Sequence, residues 1–267
     1  MTTPAENVTD MNVVLITGAA SGMGRACAVR LAGADQHLVL WDRDPDGLET
    51  TAKQVRAAGG SAETLVIDVT DVDRMTGAVL ELPPRLGHVD GLVHAAGIDA
   101  QAPFLDVTEE EYDRIMAIDL RAAFFIVQAT GRAMSASGGS IVLFSSVVAR
   151  SAAPVWAVYA MAKAGIISLT WSAATALGPN IRVNAVCPGL IETPMMARVI
   201  AKKVELGEIS HDRTHPEQVF EEELKRTPLN RIASGDDVAS VVSFLLHDDA
   251  GYVTGQTLNV DGGLWNT

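Results

Sequence analysis

Short apolar runs alternate along the chain with longer stretches in which apolar residues return every third or fourth position. The runs Val13–Thr17, His37–Trp41, Thr64–Ile67, Gly91–Val93, Ile141–Phe144, Asn180–Ala185 and Thr257–Val260 are brief and nearly continuous, the pattern of strands buried on both faces of a parallel sheet. Between them the spacing predicts helices over Arg25–Leu31, Leu48–Ala58, Glu110–Thr130, Trp156–Gly178 and Asp236–Leu246. Strand and helix thus alternate from one end to the other, which predicts an α/β fold. No repeat, Pro-rich spacer or low-complexity linker divides the 267 residues. We therefore expect a flexible tail at residues 1–10 and a single domain over 11–267, into which the charged segment 194–228 is inserted.

The polar residues that punctuate these runs fall where open α/β sheets place their sites, at the carboxyl ends of strands. After the first run comes Gly18-Ala-Ala-Ser21-Gly22-Met23-Gly24, and then a helix. Gly18 permits a tight turn, Gly22 lets backbone approach a pyrophosphate, and Gly24 lets the helix pack closely on the sheet. The second run ends at Asp42, eighteen residues beyond Gly24, near the ~20-residue offset at which an acidic side chain binds an adenosine ribose. A carboxylate there repels a 2′-phosphate, so NAD is expected over NADP, with Arg43 offsetting part of the repulsion. Asp68, at the end of the third run, is placed to meet the adenine edge.

A hydroxyl, a phenol and an amine share the span from Ser145 to Lys163. Tyr159 and Lys163, four residues apart, lie on one face of a helix. A free phenol has a pKa near ~10, and a neighbouring ammonium favours its phenolate. A shift to near ~7 would correspond to ~4 kcal/mol. Ser146 follows the fifth run. Taken by itself the span also reads as an amphipathic helix with a solvated lysine, and both readings stand.

Thr17–Gly24, the Asp68-Val69 pair, and Ser146 with Tyr159 and Lys163 together resemble the short-chain dehydrogenase/reductase family over nearly the whole chain. Pro188-Gly189, Ile191 and Thr193 resemble its nicotinamide-side loop, and Thr254-Gly255 with Asp261-Gly262-Gly263 its C-terminal end. The resemblance implies a single-domain, doubly wound Rossmann fold with a central parallel seven-stranded sheet flanked by helices on both faces. It implies hydride transfer between a nicotinamide and an alcohol or carbonyl. Tyr159 would be the general acid/base and, with Lys163, would also contact the cofactor; Lys163 would lower its pKa and hold the nicotinamide ribose, and Ser146 would hydrogen-bond the reacting oxygen. The segment 194–228 would be a substrate lid, and a homotetramer would assemble through the helices carrying Asp119 and Tyr159.

Two positions depart from the family pattern. His94-Ala95-Ala96-Gly97 stands where Asn-Asn-Ala-Gly is common; the backbone at Ala96 and Gly97 would still line the cofactor. Asp119 stands where an asparagine is usual, among the residues of the proton relay. Its charge would pair with Lys163 and weaken the lysine's pull on Tyr159; a side chain turned aside would leave the relay unaffected.

Composition narrows the partners. Lys and Arg number 20 and Asp and Glu 33, a net charge of −13, which disfavours nucleic acid and anionic membranes. Cys27 and Cys187, distant in sequence, predict reduced thiols and a cytoplasmic protein. His211 and His215 have a spacing a metal would accept, but no accompanying carboxylate–histidine motif, so a solvated loop is expected and no metal. The candidate pocket residues Ile98, Val148, Trp156, Leu190, Met195 and Met196 are apolar and point to a secondary alcohol or ketone with an apolar body. Asp99, Arg150 and the charged lid leave polyols, sugars and acidic substrates open. The alternatives are an NADP-dependent 3-oxoacyl-type ketoreductase, disfavoured by Asp42 and the net charge, and a non-catalytic dinucleotide-binding regulator, disfavoured by the intact Ser146, Tyr159 and Lys163.

Overall fold

The computed structural model describes residues 12–205, 207, 209, 210 and 215–265. The tail expected at residues 1–10 lies outside them. Strands β1 (Asn12–Thr17), β2 (Gln36–Asp42), β3 (Ser61–Val66), β4 (Gly91–His94), β5 (Gly139–Phe144), β6 (Ile181–Pro188) and β7 (Thr257–Val260) form one sheet in the order β3-β2-β1-β4-β5-β6-β7. Every neighbouring pair is parallel. The connections carry α1 (Gly22–Leu31), α2 (Pro45–Ala57), α3 (Val72–Leu80), α4 (Leu82–Leu86), α5 (Glu109–Met116), α6 (Ala122–Ala133), α7 (Ala157–Leu177), α8 (Pro194–Glu205), α9 (Pro216–Val219), α10 (Glu221–Arg226) and α11 (Gly235–Leu246). Among the described residues no helix is long and apolar enough to cross a membrane.

Successive strand residues face opposite sides of the sheet, and each side is covered by helices. Leu15, Val39, Leu92 and Val183 pack with Met75 of α3, Ile126 of α6 and Ile166 of α7. Ile16, Leu40, Val93 and Val186 pack with Cys27 of α1, Leu48 of α2 and Val242 of α11. Full burial of each large apolar side chain contributes about 1.5–3 kcal/mol, and this two-sided burial is why the strands read as continuous apolar runs. β3 is the exception. It is the sheet edge, with no fully buried residue, so its apolar pattern marks only its end and the strand begins three residues before the expected Thr64.

Strand order reverses between β2-β1 and β4-β5, which opens a crevice beyond the carboxyl ends of β1 and β4. Its two rims touch closely: a Cβ on Gly18, whose φ is +68°, would lie 2.7 Å from Ala96 N. Only glycine fits there. The helix expected over Glu110–Thr130 is continuous in direction but has a wider π turn at Ala117–Arg121, between α5 and α6. Asp119 sits on that turn, and such turns often mark functional positions.

Candidate active site

The crevice continues into a cleft of about 850 Å³ that runs from Asp42 and Asp68 past the glycine loop to Gly97, Ile98 and Asp99, and is roofed by α8. Of the residues expected to hold a cofactor, Gly18, Ser21, Gly22, Met23 and Gly24 form its floor. Asp42, Asp68, Val69, Ala96, Gly97 and Thr193 line the remaining walls. Pro188, Gly189 and Ile191 instead form the support beneath Thr193. Gly189 N donates to Val260 O, and the Thr193 hydroxyl donates to Ile191 O and accepts from Met196 N.

The floor suits a dinucleotide. Ser21 precedes α1 without a side-chain cap, and no acidic residue occupies the first turn, so the helix N-terminus offers its free N–H groups and positive dipole end to an anion. A Cβ on Gly24 would collide with Gly18 O at 2.1 Å. Arg25 is committed to the scaffold, donating to Thr51 Oγ1 and Ala20 O. At the far end Asp42 accepts from Ala20 N at 3.0 Å and Asp44 N at 3.1 Å, which fixes its carboxylate at the cleft wall. Thr70 N and Oγ1 bind Asp68 and, with the Arg43 charge, hold its carboxyl below the usual range.

Behind Gly97 lies the group expected to do the chemistry. A Cβ on Gly97 would lie 3.2 Å from both Lys163 Nζ and Asp119 Oδ1, so the absent side chain brings the cleft wall within contact of these charges. Lys163 is buried. Its Nζ donates to Phe144 O at 3.2 Å, lies 3.5 Å from Asp119 Oδ2, and sits 5.5 Å from the Tyr159 ring centre. Ser145, bonded through Oγ to Lys163 O, ties the strand end to α7. Ser146 begins the 3₁₀ turn Val147–Arg150 and shares a hydrogen bond with Tyr159. The π turn buries Asp119 completely, with Oδ1 accepting from Ile98 N at 2.8 Å and Oδ2 left without a hydrogen bond.

The electrostatics run opposite to one expectation. Burial first, and then the Asp119 charge, push the Tyr159 phenol above its ordinary value, while the Ser146 hydrogen bond works against them. Burial and the carboxylate facing Lys163 thus both favour the neutral phenol. Burial likewise raises the Asp119 carboxyl, opposed by Lys163 and the Ile98 amide. His94, in place of the family asparagine, bonds Thr17 Oγ1 at 2.8 Å, and burial together with the Lys163 charge holds its pKa at about 3.

The apolar pocket residues divide. Ile98 and Met195 line the cleft. Met196 instead packs with Ile200 and Phe220 within the segment 194–228, and Leu190 packs against them while lining a second cavity of about 470 Å³. Val148 is half-buried, and Trp156 lies under Lys203 of α8, 5.6 Å from ring centre to Nζ. Arg150 is tied to Asn259 and Thr257. His215 is exposed beside Glu217, and His211 lies outside the described residues. The half-buried Trp265 is anchored through its backbone to Asp261 and Asn259. Cleft residues that the sequence reading did not single out are Gln101, Arg114 and Arg198. They stand on a loop and on two amphipathic helices, where a polar residue facing a cleft has the same pattern as one facing water.

A glycine-floored cleft at the switch point of a parallel sheet, with a buried lysine behind its Gly97 wall and a tyrosine beside that lysine, is an arrangement suited to an oxidoreductase. A family model described as "Enoyl-(Acyl carrier protein) reductase" matches residues 18–265. The 3-oxoacyl-[acyl-carrier-protein] reductase of Thermotoga maritima is 37% identical over 254 residues, covering 94% of this chain and 97% of the relative. Among solved structures, an actinorhodin polyketide ketoreductase with NADPH superposes with a TM-score of 0.89 at 32% identity, over 97% of this chain and 99% of that one. An NAD+-bound xylitol dehydrogenase gives 0.87 at 33%, over 94% and 96%. The chain belongs to the short-chain dehydrogenase/reductase family.

Proposed function

We propose that the chain is an NAD(H)-dependent enzyme that interconverts a secondary alcohol and a ketone. The observation that carries this reading is the contact of Lys163 with the Gly97 wall, with Tyr159 and Ser146 beside it. The glycine loop would hold the pyrophosphate, Asp42 the adenosine ribose, Asp68 and Val69 the adenine, and Gly97, Lys163 and Thr193 the nicotinamide half. The nicotinamide, when bound, supplies the hydride acceptor or donor. Tyr159 takes the hydroxyl proton in oxidation and returns it in reduction. Ser146 hydrogen-bonds the same oxygen and fixes its distance from Tyr159. Lys163 keeps positive charge beside the forming phenolate.

NAD preference rests on Asp42, whose carboxylate at the cleft wall would repel a 2′-phosphate. The Arg43 charge is shared with Asp68 and offsets little of it. The relatives carry both cofactors in their descriptions. The test is kcat/KM with each cofactor. NAD should be favoured tenfold or more, which corresponds to about 1.4 kcal/mol, and Asp42→Ser should narrow the gap. A wild-type preference for NADP would overturn the assignment and favour the second reading, a ketoreductase of the kind named among the relatives.

We further propose a cytoplasmic homotetramer that docks neither nucleic acid nor membrane. Buried free thiols at Cys27 and Cys187 and the charge of −13 support this, as do the exposed apolar side chains Phe124 on α6 and Met161 and Trp171 on α7.

A further inference from the structure

The cleft wall next to the reacting group is less apolar than the sequence suggests. Two residues past Gly97, Asp99 lines the cleft and is half-buried. Burial raises its carboxyl above the ordinary range, opposed first by Arg198 of α8, then by a Gln101 hydrogen bond, and more weakly by Arg114 of α5. Its charge is also felt at Tyr159 and Asp119, where it adds to burial in raising both. Gln101 is itself buried, with Nε2 3.5 Å from Val199 O and Oε1 without a hydrogen-bond partner. A third acidic group beside Tyr159 and Asp119 opposes formation of a phenolate and costs desolvation energy. Arg198 and Gln101 offset part of that cost, and a perturbed carboxylate lining a cleft is a candidate ligand contact.

Three classes of ligand group are available to a carboxylate in this place. An ammonium would meet Arg114 and Arg198, and an anionic group would meet Asp99 and Asp119. A neutral hydroxyl donates to a carboxylate and accepts from a guanidinium at once. Resting on the alcohol–ketone reading above, we infer that Asp99, with Arg198 facing it from the lid, anchors a second hydroxyl adjacent to the reacting carbon, so that the preferred substrates are vicinal diols or polyols. Asp99 and Arg198 are then specificity residues, and the apolar residues Ile98 and Met195 cover the carbon skeleton.

Matched pairs with NAD as oxidant test this: vicinal cyclohexanediol against cyclohexanol, and vicinal butanediol against sec-butanol. Sites built to hydrogen-bond a hydroxyl discriminate strongly against analogues that lack it, so kcat/KM for each diol should exceed that of its partner by about 100-fold. Asp99→Leu should remove most of that ratio through KM of the diol, while the rate change from the charge lost near Tyr159 falls on diol and mono-alcohol alike and NADH affinity, read by NADH fluorescence, stays near wild type. Arg198→Met should act in the same selective way. Equal or better turnover of the mono-alcohols by the wild type overturns the inference while leaving hydride transfer intact. So does a loss in Asp99→Leu that falls equally on both members of each pair, which would make Asp99 only a latch for the lid. Absence of turnover with all four alcohols and with their ketones overturns the alcohol–ketone reading, and the inference falls with it.

Discussion

Replacing Asp119 with asparagine removes one charge from behind the active-site lysine and little else. Oδ1 accepts from Ile98 N at 2.8 Å, a contact the asparagine carbonyl keeps, while the charge 3.5 Å from Lys163 Nζ disappears. Lys163 Nζ lies 5.5 Å from the Tyr159 ring centre. Oδ2 is therefore within roughly 12 Å of the phenol oxygen, and at an effective dielectric of about 20 a unit charge at that range contributes about 1.4 kcal/mol or more. At about 1.36 kcal/mol per unit, removing it lowers the Tyr159 pKa by about one unit or more. Tyr159 accepts the alcohol proton only as phenolate, so oxidation falls as pH drops through its pKa, and a lower pKa moves that fall to more acidic pH. The acid limb of the kcat/KM profile should shift down by about one unit or more in Asp119→Asn, with rates on the wild-type limb raised about tenfold. A limb that stays in place or moves upward refutes the reasoning, because Tyr159 would then feel no charge from Asp119.

His94 gives a stability prediction. Its folded pKa is held at about 3 against an ordinary 6.5, so the unfolded chain binds the proton first, and this contribution to stability is lost as pH falls from 6.5 toward 3. Between about pH 7 and about pH 5 the loss is about 2 kcal/mol. Denaturant unfolding of His94→Asn should show a smaller loss over that range; equal losses would place the proton elsewhere. The exposed Phe124, Met161 and Trp171 predict elution at the volume of four chains, with Trp171→Glu moving it to smaller species. Elution of the wild type as one chain would contradict the assembly.

Much of this was legible in the sequence because the sheet is buried on both faces. Continuous apolar runs ended by Gly18, Asp42, Asp68 and Ser146 located strands and site together, and the four-residue spacing of Tyr159 and Lys163 placed both on α7. The remainder depended on contacts between distant segments. Arg150 reads as a free cation until Asn259 and Thr257 close on it. Met196 and Leu190 have the pattern of pocket residues, but the segment after Thr193 has a small core of its own around Phe220. The π turn at Ala117–Arg121 interrupts a helix whose apolar periodicity hardly changes, so Asp119 could be recognised as unusual without revealing that it is fully buried against Lys163. The polar wall formed by Asp99 and Gln101 lies on a loop that has no periodicity to read.

The central claim is that the Tyr159 hydroxyl transfers the proton in a cleft that still binds nicotinamide dinucleotide when that hydroxyl is removed. The direct test is Tyr159→Phe, assayed for NADH binding by fluorescence and for alcohol-dependent NAD reduction. The account predicts near wild-type NADH affinity with turnover reduced about 100-fold or more, the scale of a lost general acid/base. Turnover close to wild type, with NADH affinity unchanged, would contradict it.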